Sequence, residues 1–296
     1  MSSNEKMLFE VTECRKRVET RLDQLLPIRD GKYATLIEAM RYSLLDGGKR
    51  IRAIICMKFC EAVCGSVEKA LPAACAVEML HAYTLIHDDL PCMDNDEMRR
   101  GKPSNHIKYG EFTATLAGDA LQAMVFQTLL NSDLDSGTIV QMAQIIAETA
   151  GPHGVCAGQY LDLSVEGKEL TVDELMEIYS LKTSALFCAA ARLGVLAGGG
   201  TQTQLSASAQ YARLLGLAFQ TRDDILDCIG SEEVLGKPIG SDNENKKTTL
   251  ASVLGIEECE RLCNKLTNGA IEVLESGFDD NKFLIELTLY LCNRMK

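Results

Sequence analysis

A cluster of carboxylates follows a long apolar stretch of the chain. Five acidic residues lie between positions 88 and 97, and two arginines follow at positions 99 and 100. The preceding run, 70–86, is almost wholly apolar, so we expect a buried helix to deliver the first carboxylates. Carboxylates gathered at a helix end repel one another. A divalent cation that prefers oxygen ligands, above all Mg²⁺, would offset that repulsion.

A second acidic segment, 223–227, also ends an apolar run. Asp223 and Asp227 are four residues apart, so both side chains project from one face of a helix. Gln220 lies about one turn earlier on that face. Two such segments, each on an apolar helix, predict a cavity with metals on opposing walls.

A basic segment lies at the expected start of another helix. Gly47 and Gly48 precede Lys49, Arg50 and Arg52. Glycines, cations and a helix N-terminus together form a binding site for an anion such as a phosphate group. An ordinary helix C-cap with surface charges is the simpler alternative.

Two further residues have open roles. His81 precedes Asp88 by seven residues, so both side chains fall on nearly one helix face. That alignment favours a binding role over a histidine that is simply hydrogen-bonded in the core. Lys182 lies in the middle of a predicted apolar helix, where its amine must reach solvent or pair with an anion.

Composition and charge exclude several classes of protein. Hydrophobic residues make up 46% of the 296, with six prolines and no tryptophan, which favours a single all-α domain over 1–296 with roughly ten helices. The net charge of −12 argues against nucleic-acid binding.

The N-terminus lacks the pattern of a signal peptide. The longest apolar run, 184–200, contains Arg192 and fits a buried helix better than a membrane span, so we expect a cytoplasmic protein without a stable membrane anchor.

Twelve cysteines occur without a CxxC pair or a zinc-type spacing. Several of them lie inside apolar helical runs, and the chain is too long for a small disulfide-linked domain. We therefore expect reduced, buried thiols.

Apolar periodicity and turn residues divide the chain into helices. The predicted helices are 5–26, 33–45, 51–64, 67–90, 111–131, 138–150, 172–197, 205–229, 249–276 and 280–293. Thr171 and Glu174 have the spacing of a capping box at the start of one of them. The polar segment 230–247 is too long for a turn, and loops of that length tend to be functional.

The order of the motifs resembles that of the trans-isoprenyl diphosphate synthases, over roughly residues 30–290. The matching segments are GGKRIR, HAYTLIHDDLPCMDNDEMRRGKPSNH, AGDALQ, GQYLDL, KTSAL, FQTRDDILD and KKTT. DDLPCMD has the form typical of the bacterial farnesyl diphosphate synthases. The resemblance implies the isoprenoid synthase fold, a helical bundle around a central cavity. Ala53 and Ala157 depart from the family pattern but touch no proposed ligand.

The resemblance also implies roles for individual residues. The diphosphate of isopentenyl diphosphate would be held by Lys49, Arg52, His81 and Arg100. Three Mg²⁺ ions would be bound by Asp88, Asp89, Asp94, Asp223, Asp224 and Asp227. The allylic diphosphate would be gripped by Arg99, Lys182, Lys237 and Lys247, with Lys246 as an alternative to Lys247. Thr183 and Gln220 would line the reacting centre with Lys182.

The implied reaction is the condensation of isopentenyl diphosphate with dimethylallyl or geranyl diphosphate by ionisation, condensation and elimination. Tyr83 and Thr84, about one turn before Asp88, would form the floor that limits product length. A bulky Tyr83 resembles the farnesyl-forming pattern, so we predict farnesyl diphosphate, with geranylgeranyl diphosphate as the alternative. The family is usually dimeric, and the apolar helix near 111–130 is a candidate interface for a homodimer.

Three other functions compete with this interpretation. A terpene cyclase or squalene-synthase-like enzyme lacks a basic loop for a second diphosphate. A non-catalytic partner subunit would be expected to have lost one of the two acidic motifs. A di-iron helical bundle needs Glu-x-x-His on two helices, and the sequence has no such pair.

Overall fold

The computed structural model describes residues 3–27, 30–229 and 248–294. Helices account for nearly all the regular structure in these residues, so the all-α prediction is confirmed. The α-helices are α1 Ser3–Leu25, α2 Ala34–Leu45, α3 Ile51–Cys64, α4 Leu71–Asp88, α5 Asn105–Tyr109, α6 Glu111–Leu130, α7 Ser136–Ala150, α8 Val155–Ser164, α9 Val172–Tyr179, α10 Ala185–Gly198, α11 Gln202–Ile229, α12 Leu250–Leu254, α13 Ile256–Gly277 and α14 Lys282–Cys292.

Three short elements interrupt the helices. A 3₁₀ turn, Glu68–Ala70, precedes α4, and a π-helical turn, Ser180–Ser184, lies between α9 and α10. Two strands, β1 Met98–Arg99 and β2 Lys102–Pro103, form an antiparallel hairpin in which Arg99 is paired with Lys102.

The chain divides into two compact units. The first comprises Met1–Ile146 and Ala190–Gly200, and the second comprises Ala147–Ala189 and Thr201–Lys296. The first acidic segment belongs to the first unit and the second acidic segment belongs to the second unit. The predicted cavity with metals on opposing walls therefore stays a prediction.

In the first unit, α4 is buried on nearly all sides because its sequence is apolar around the whole helix. It packs most extensively against α6. The C-terminal part of α10 packs against α3, and small residues allow the close approach. A Cβ atom on Gly198 would stand 2.8 Å from the Cβ of Val63. Near the end of α4 that carries Asp88, the His87 ring packs against Gly118 of α6.

In the second unit, α11 packs against α13 and α14. Tyr211 is fully buried, and its hydroxyl lies 2.9 Å from the hydroxyl of Thr288. Arg222 makes two hydrogen bonds, of 2.6 and 2.8 Å, to the carboxylate of Glu260. These contacts hold α11, which carries the second acidic segment.

Most helix boundaries follow the sequence prediction, with three corrections. The predicted helix 172–197 is interrupted by the π-helical turn. The predicted helix 249–276 is two helices, because Gly255 has a φ of 79° and breaks the helical path. No helix was predicted between the helices 67–90 and 111–131 or between 138–150 and 172–197, where the structure has α5 and α8 respectively. Segment 230–247, which we expected to be functional, lies outside the described residues.

The capping box at the start of α9 is confirmed. The Thr171 amide donates to Glu174 Oε2 at 2.8 Å, and the Glu174 amide donates to Thr171 Oγ1 at 3.4 Å. This pair of hydrogen bonds fixes the first turn of the helix that leads into the π-helical turn.

All twelve cysteines lie in the described part of the chain, and each is a free thiol. Seven are buried, and burial raises the pKa of the Cys75 thiol to about 12.

Among the described residues, one stretch, Val172–Gly198, is long and apolar enough to cross a membrane by length and composition alone. However, 56% of its most apolar window is buried in the protein, as in a core helix.

Candidate active site

The first acidic segment begins at the last residue of α4. After Asp88 the chain turns back on itself, and the Asp94 amide donates to the Asp88 carbonyl at 2.9 Å. Asn95 then adopts a left-handed conformation with a φ of 54°. The fold therefore brings the backbone of Asp94 beside that of Asp88.

Asp89 lies in a different environment. Its side chain is buried, and Arg99 Nε donates to Asp89 Oδ1 at 2.9 Å. Arg99 also contacts Asp96 Oδ2 at 3.1 Å. Burial raises the pKa of the Asp89 carboxyl, and the Arg99 guanidinium partly opposes that rise. Arg99, which we predicted as a ligand for the allylic diphosphate, is thus also the partner of a buried carboxylate.

Three of the residues predicted to bind isopentenyl diphosphate lie near one another. Arg52 Nη1 is 3.4 Å from His81 Nε2, and Arg100 Nη1 donates to the carbonyl of Gly47 at 3.1 Å. Gly48 has a φ of 104°, and a Cβ atom there would stand 3.1 Å from the Arg100 guanidinium. We call Arg52, His81 and Arg100 the arginine cluster. The two glycines let the basic loop approach Arg100 closely.

His81 is a neutral member of this cluster. Loss of hydration and the neighbouring guanidinium of Arg52 hold the pKa of His81 well below its usual range. A neutral imidazole has one nitrogen that accepts a hydrogen bond and one that donates. His81 can therefore accept from Arg52 and still donate to an anion.

Lys49 and Arg50 take different roles although they are neighbours in sequence. Lys49 is exposed at the N-terminal end of α3. Arg50 is buried, and it donates to Glu78 Oε2 at 3.3 Å and to the Leu44 carbonyl at 2.7 Å. The sequence predicted that both cations belong to one anion site. In the structure, Arg50 instead stabilises the basic loop through its hydrogen bonds.

Within the described ranges no group of three or more histidine, cysteine, aspartate or glutamate side chains converges as a ready metal site. The donor set nevertheless suits Mg²⁺, because carboxylate oxygens are the ligands that this ion takes, with water and phosphate completing its shell. Asp88 and Asp94 fit this requirement in the first unit, and Asp223 and Asp227 fit it in the second.

The π-helical turn carries Lys182 and Thr183, and two glycines enclose it. A Cβ atom on Gly158 of α8 would stand 2.7 Å from the Lys182 Cα, and one on Gly216 of α11 would stand 2.6 Å from the Ser184 Cα. Only glycine permits such approaches. π-Helical turns inside helices are frequently found at functional sites.

Beside this turn lies a cleft that is open to solvent, which we call the π-turn cleft. Its empty volume, with the solvent at its mouth included, is about 670 Å³. Its polar lining includes Asp162, Lys182, Thr183, Gln220 and Asp224. Thr183 Oγ1 donates to Gln220 Oε1 at 3.0 Å, and Lys182 Nζ donates to Asp162 Oδ2 at 2.6 Å. The structure thus unites the three residues that we predicted for the reacting centre.

The carboxylates of the second acidic segment are not equivalent. Asp223 forms an ion pair with Arg294, whose guanidinium also lies 3.9 Å from the centre of the Phe219 ring. Asp224 is buried and accepts a hydrogen bond of 2.6 Å from the Tyr179 hydroxyl. Asp227 is also buried, one turn after Asp223. Lys237, Lys246 and Lys247 lie outside the described residues.

Sequence reasoning missed several residues of these sites, namely Glu78, Asp162, Tyr179 and Arg294. Glu78 offered a signal, since it is an acidic residue inside the apolar run 70–86 and needs a cationic partner. Asp162 and Tyr179 gave weaker signals, because their partners lie on other helices. Arg294 is close to the C-terminus, where pattern reasoning carries little information.

Comparisons with known proteins show which family the chain resembles over nearly its whole length. The family model for polyprenyl synthetases matches residues 33–282. The chain is 43% identical to a geranylgeranyl pyrophosphate synthase of Capsicum annuum, over 96% of this chain and 78% of the relative. It is 42% identical to a geranylgeranyl diphosphate synthase of Cyanophora paradoxa, over 99% and 98%. The apo crystal structure of an FPP/GFPP synthase of Zymomonas mobilis superposes with a TM-score of 0.87, at 30% identity over 98% of this chain and 99% of that one.

Proposed function

We propose that this chain, which belongs to the polyprenyl synthetase family and is a prenyltransferase, makes geranylgeranyl diphosphate as its main product. The proposal adopts the alternative named from the sequence in place of farnesyl diphosphate. The names of the curated relatives from pepper and Cyanophora paradoxa support this choice.

The observation that carries the proposal is the position of Tyr83 on α4. At about 100° per residue, Tyr83 lies roughly 140° around the helix from Asp88, whereas Thr84 lies about 40° from it. The Tyr83 ring packs edge-on against the His87 ring with centroids 4.9 Å apart, and the His87 ring lies against Gly118 of α6. The bulky ring is therefore turned toward α6 and away from the direction of Asp88.

Thr84 is small and its hydroxyl bonds within its own helix, donating to the His81 carbonyl at 2.9 Å. A compact residue close to the direction of Asp88 leaves room for a longer prenyl chain. Farnesyl diphosphate remains the second candidate product, because an aromatic side chain at position 83 resembles the farnesyl-forming pattern. In that case Tyr83 would have to turn into the path of the chain.

In the first unit, we assign the diphosphate of isopentenyl diphosphate to Lys49 and the arginine cluster. Arg52 and Arg100 supply positive charge, and neutral His81 supplies a hydrogen-bond donor. Two guanidiniums and an amine can offset a diphosphate even though the chain carries a net charge of −12. This arrangement supports a site for a second diphosphate, which a terpene cyclase does not need.

In the second unit, we assign the allylic substrate to the π-turn cleft. Lys182 faces the departing diphosphate, while Thr183 and Gln220 present oxygen dipoles to the carbocation. The carbon–oxygen bond breaks with its electron pair leaving on the diphosphate. The double bond of isopentenyl diphosphate then forms the new carbon–carbon bond, and a proton passes to the released diphosphate.

Bound Mg²⁺ would neutralise the diphosphate as that bond breaks. We propose Asp88 and Asp94 as Mg²⁺ ligands in the first unit and Asp223 and Asp227 as Mg²⁺ ligands in the second, with Asp89 and Asp224 in supporting positions. A count of three ions, the homodimer, the cytoplasmic location and a single domain over 1–296 also remain predictions. The exposed Phe112 and Leu116 of α6 are consistent with the predicted dimer interface.

Two variants separate the candidate products. Thr84→Phe places a ring near the direction of Asp88, so the main product should shorten from twenty to fifteen carbons. Tyr83→Ala removes the ring that faces α6 and should leave the twenty-carbon product in place. Chromatography of the dephosphorylated products measures both. A fifteen-carbon wild-type product that lengthens in Tyr83→Ala would establish the farnesyl assignment instead.

A further inference from the structure

Asp224 is the centre of a hydrogen-bond network at the π-turn cleft. Its side chain is buried, and Oδ2 accepts hydrogen bonds from the Tyr179 hydroxyl at 2.6 Å and from the Leu250 amide at 3.1 Å. Its other oxygen, Oδ1, accepts from Gln220 Nε2 at 3.2 Å. Asp224 therefore joins three elements of the second unit, namely α9, α11 and the start of α12.

This network determines which way the Gln220 amide points. An ionised carboxylate can only accept hydrogen bonds, so the amide must turn its NH₂ group toward Asp224. Gln220 Oε1 then faces Thr183, whose hydroxyl lies 3.0 Å away and must donate. The Thr183 hydroxyl therefore donates its hydrogen to Gln220. The lone pairs of the Thr183 oxygen can then interact with other groups.

The result is a pair of oxygen dipoles with a defined orientation. Gln220 and Thr183, which carry these two oxygens, both line the cleft. Oxygens oriented before the reaction stabilise developing positive charge without reorganising during it. With the amide reversed, an NH₂ group would stand at the same position and would repel a cation.

Tyr179 is the residue that completes this orientation. It is buried in the last turn of α9, directly before the π-helical turn, and it is one of the residues that line the same cleft. We propose that Tyr179 is a positioning residue for prenyl transfer, acting through Asp224 to fix the amide of Gln220. The inference rests on the proposed function, because it assigns a role within that reaction.

The test is the variant Tyr179→Phe, which keeps the ring and removes the hydroxyl. Asp224 then loses a hydrogen-bond donor, so its carboxylate and the Gln220 amide lose their fixed orientation. We expect kcat to fall about 5- to 20-fold, with the KM for isopentenyl diphosphate changing less than about two-fold.

Tyr211→Phe is the matched control. It removes another buried tyrosine hydroxyl from the same unit, one that contacts Thr288 instead of the cleft. We expect a lower free energy of unfolding in both variants but a lower kcat only in Tyr179→Phe. Equal kcat values in the two variants would overturn the positioning role.

A double-mutant cycle tests the route through Gln220. If Tyr179 acts only by fixing that amide, Tyr179→Phe should have no further effect on kcat in a Gln220→Ala background. A full additional loss in that background would refute the route. The wild-type chain is assayed in parallel, and a wild type without prenyl transfer would count against the proposed function itself.

Discussion

Gly158 lies so close to Lys182 that a Cβ atom on the glycine would stand 2.7 Å from the Lys182 Cα. Through this contact α8 packs closely against the π-helical turn and positions Lys182, which we assign to the allylic diphosphate. The turn can hold its wider geometry because its neighbour has no side chain.

Gly158→Ala should therefore displace the π-helical turn. We expect stability to fall by roughly 1–3 kcal/mol because the added methyl group overpacks the contact. Activity should fall about 10- to 100-fold, since a small misplacement of Lys182 and Thr183 spoils their alignment with the substrate. Denaturant unfolding and steady-state kinetics measure the two effects.

Gly269→Ala provides the control for a glycine in a helix. A Cβ atom at Gly269 of α13 would meet only Leu214 Cδ1, at the ordinary distance of 3.5 Å. Because alanine favours helix over glycine, this variant should gain about 0.5–1 kcal/mol and keep its activity. Equal effects of the two substitutions would contradict the account of the Gly158 contact.

In the basic loop, we expect Arg50 to contribute to stability and Lys49 to contribute to substrate binding. Arg50→Ala would leave Glu78 buried without its guanidinium, so we expect a loss of about 3–5 kcal/mol. Lys49→Ala changes an exposed cation and should leave stability unchanged while raising the KM for isopentenyl diphosphate. Thermal unfolding and kinetics of both variants check this division, and a similar stability loss in Lys49→Ala would contradict it.

His81 should make the stability of the protein depend on pH. Its pKa is held well below the usual range in the folded state, first by loss of hydration and then by Arg52. The unfolded chain therefore binds a proton on His81 that the folded chain does not. The contribution of His81 to stability is fully present above about pH 6.5, the ordinary histidine value, and is lost as the pH falls below it.

His81→Gln removes this titration. The free energy of unfolding of the wild type should fall more steeply than that of the variant between about pH 6.5 and 5. Denaturant unfolding at several pH values measures the two slopes. Parallel slopes would show that His81 takes up a proton equally in both states.

The sequence could predict contacts in this site only where the two partners are close together in the chain. Thr171 and Glu174 are three residues apart, so their capping box could be predicted from local pattern alone. The buried role of Arg50 could not, because its partner Glu78 is on another helix. The π-helical turn was also missed, since apolar periodicity over 172–197 assumes a continuous α-helix.

The acidic segments show the same limit. Their spacing predicted that Asp223 and Asp227 share a helix face, but it could not assign Asp224 to Tyr179 or Asp223 to Arg294. Those pairings depend on how α9 and the C-terminal residues pack against α11. The resemblance supplied most of the predicted ligands, and the structure adds the partners of Asp89, Asp223 and Asp224, which are Arg99, Arg294 and Tyr179.

The first acidic segment offers a test of metal binding. Asp94→Asn should raise the Mg²⁺ concentration needed for half-maximal activity by about ten-fold or more, because a carboxylate ligand is lost. Asp96→Asn changes a carboxylate in the same loop that pairs with Arg99, so its Mg²⁺ dependence should stay close to that of the wild type. Equal Mg²⁺ dependence of the two variants would remove Asp94 from the ligand set.

The most direct test of the account is the product formed by the unaltered chain. Purified protein would be incubated with isopentenyl diphosphate, dimethylallyl diphosphate and Mg²⁺, and the dephosphorylated products would be sized by chromatography. We predict a main product of twenty carbons that is absent when Mg²⁺ is chelated. A main product of fifteen carbons would contradict the assigned chain length, and no condensation product from folded protein would contradict the proposed function.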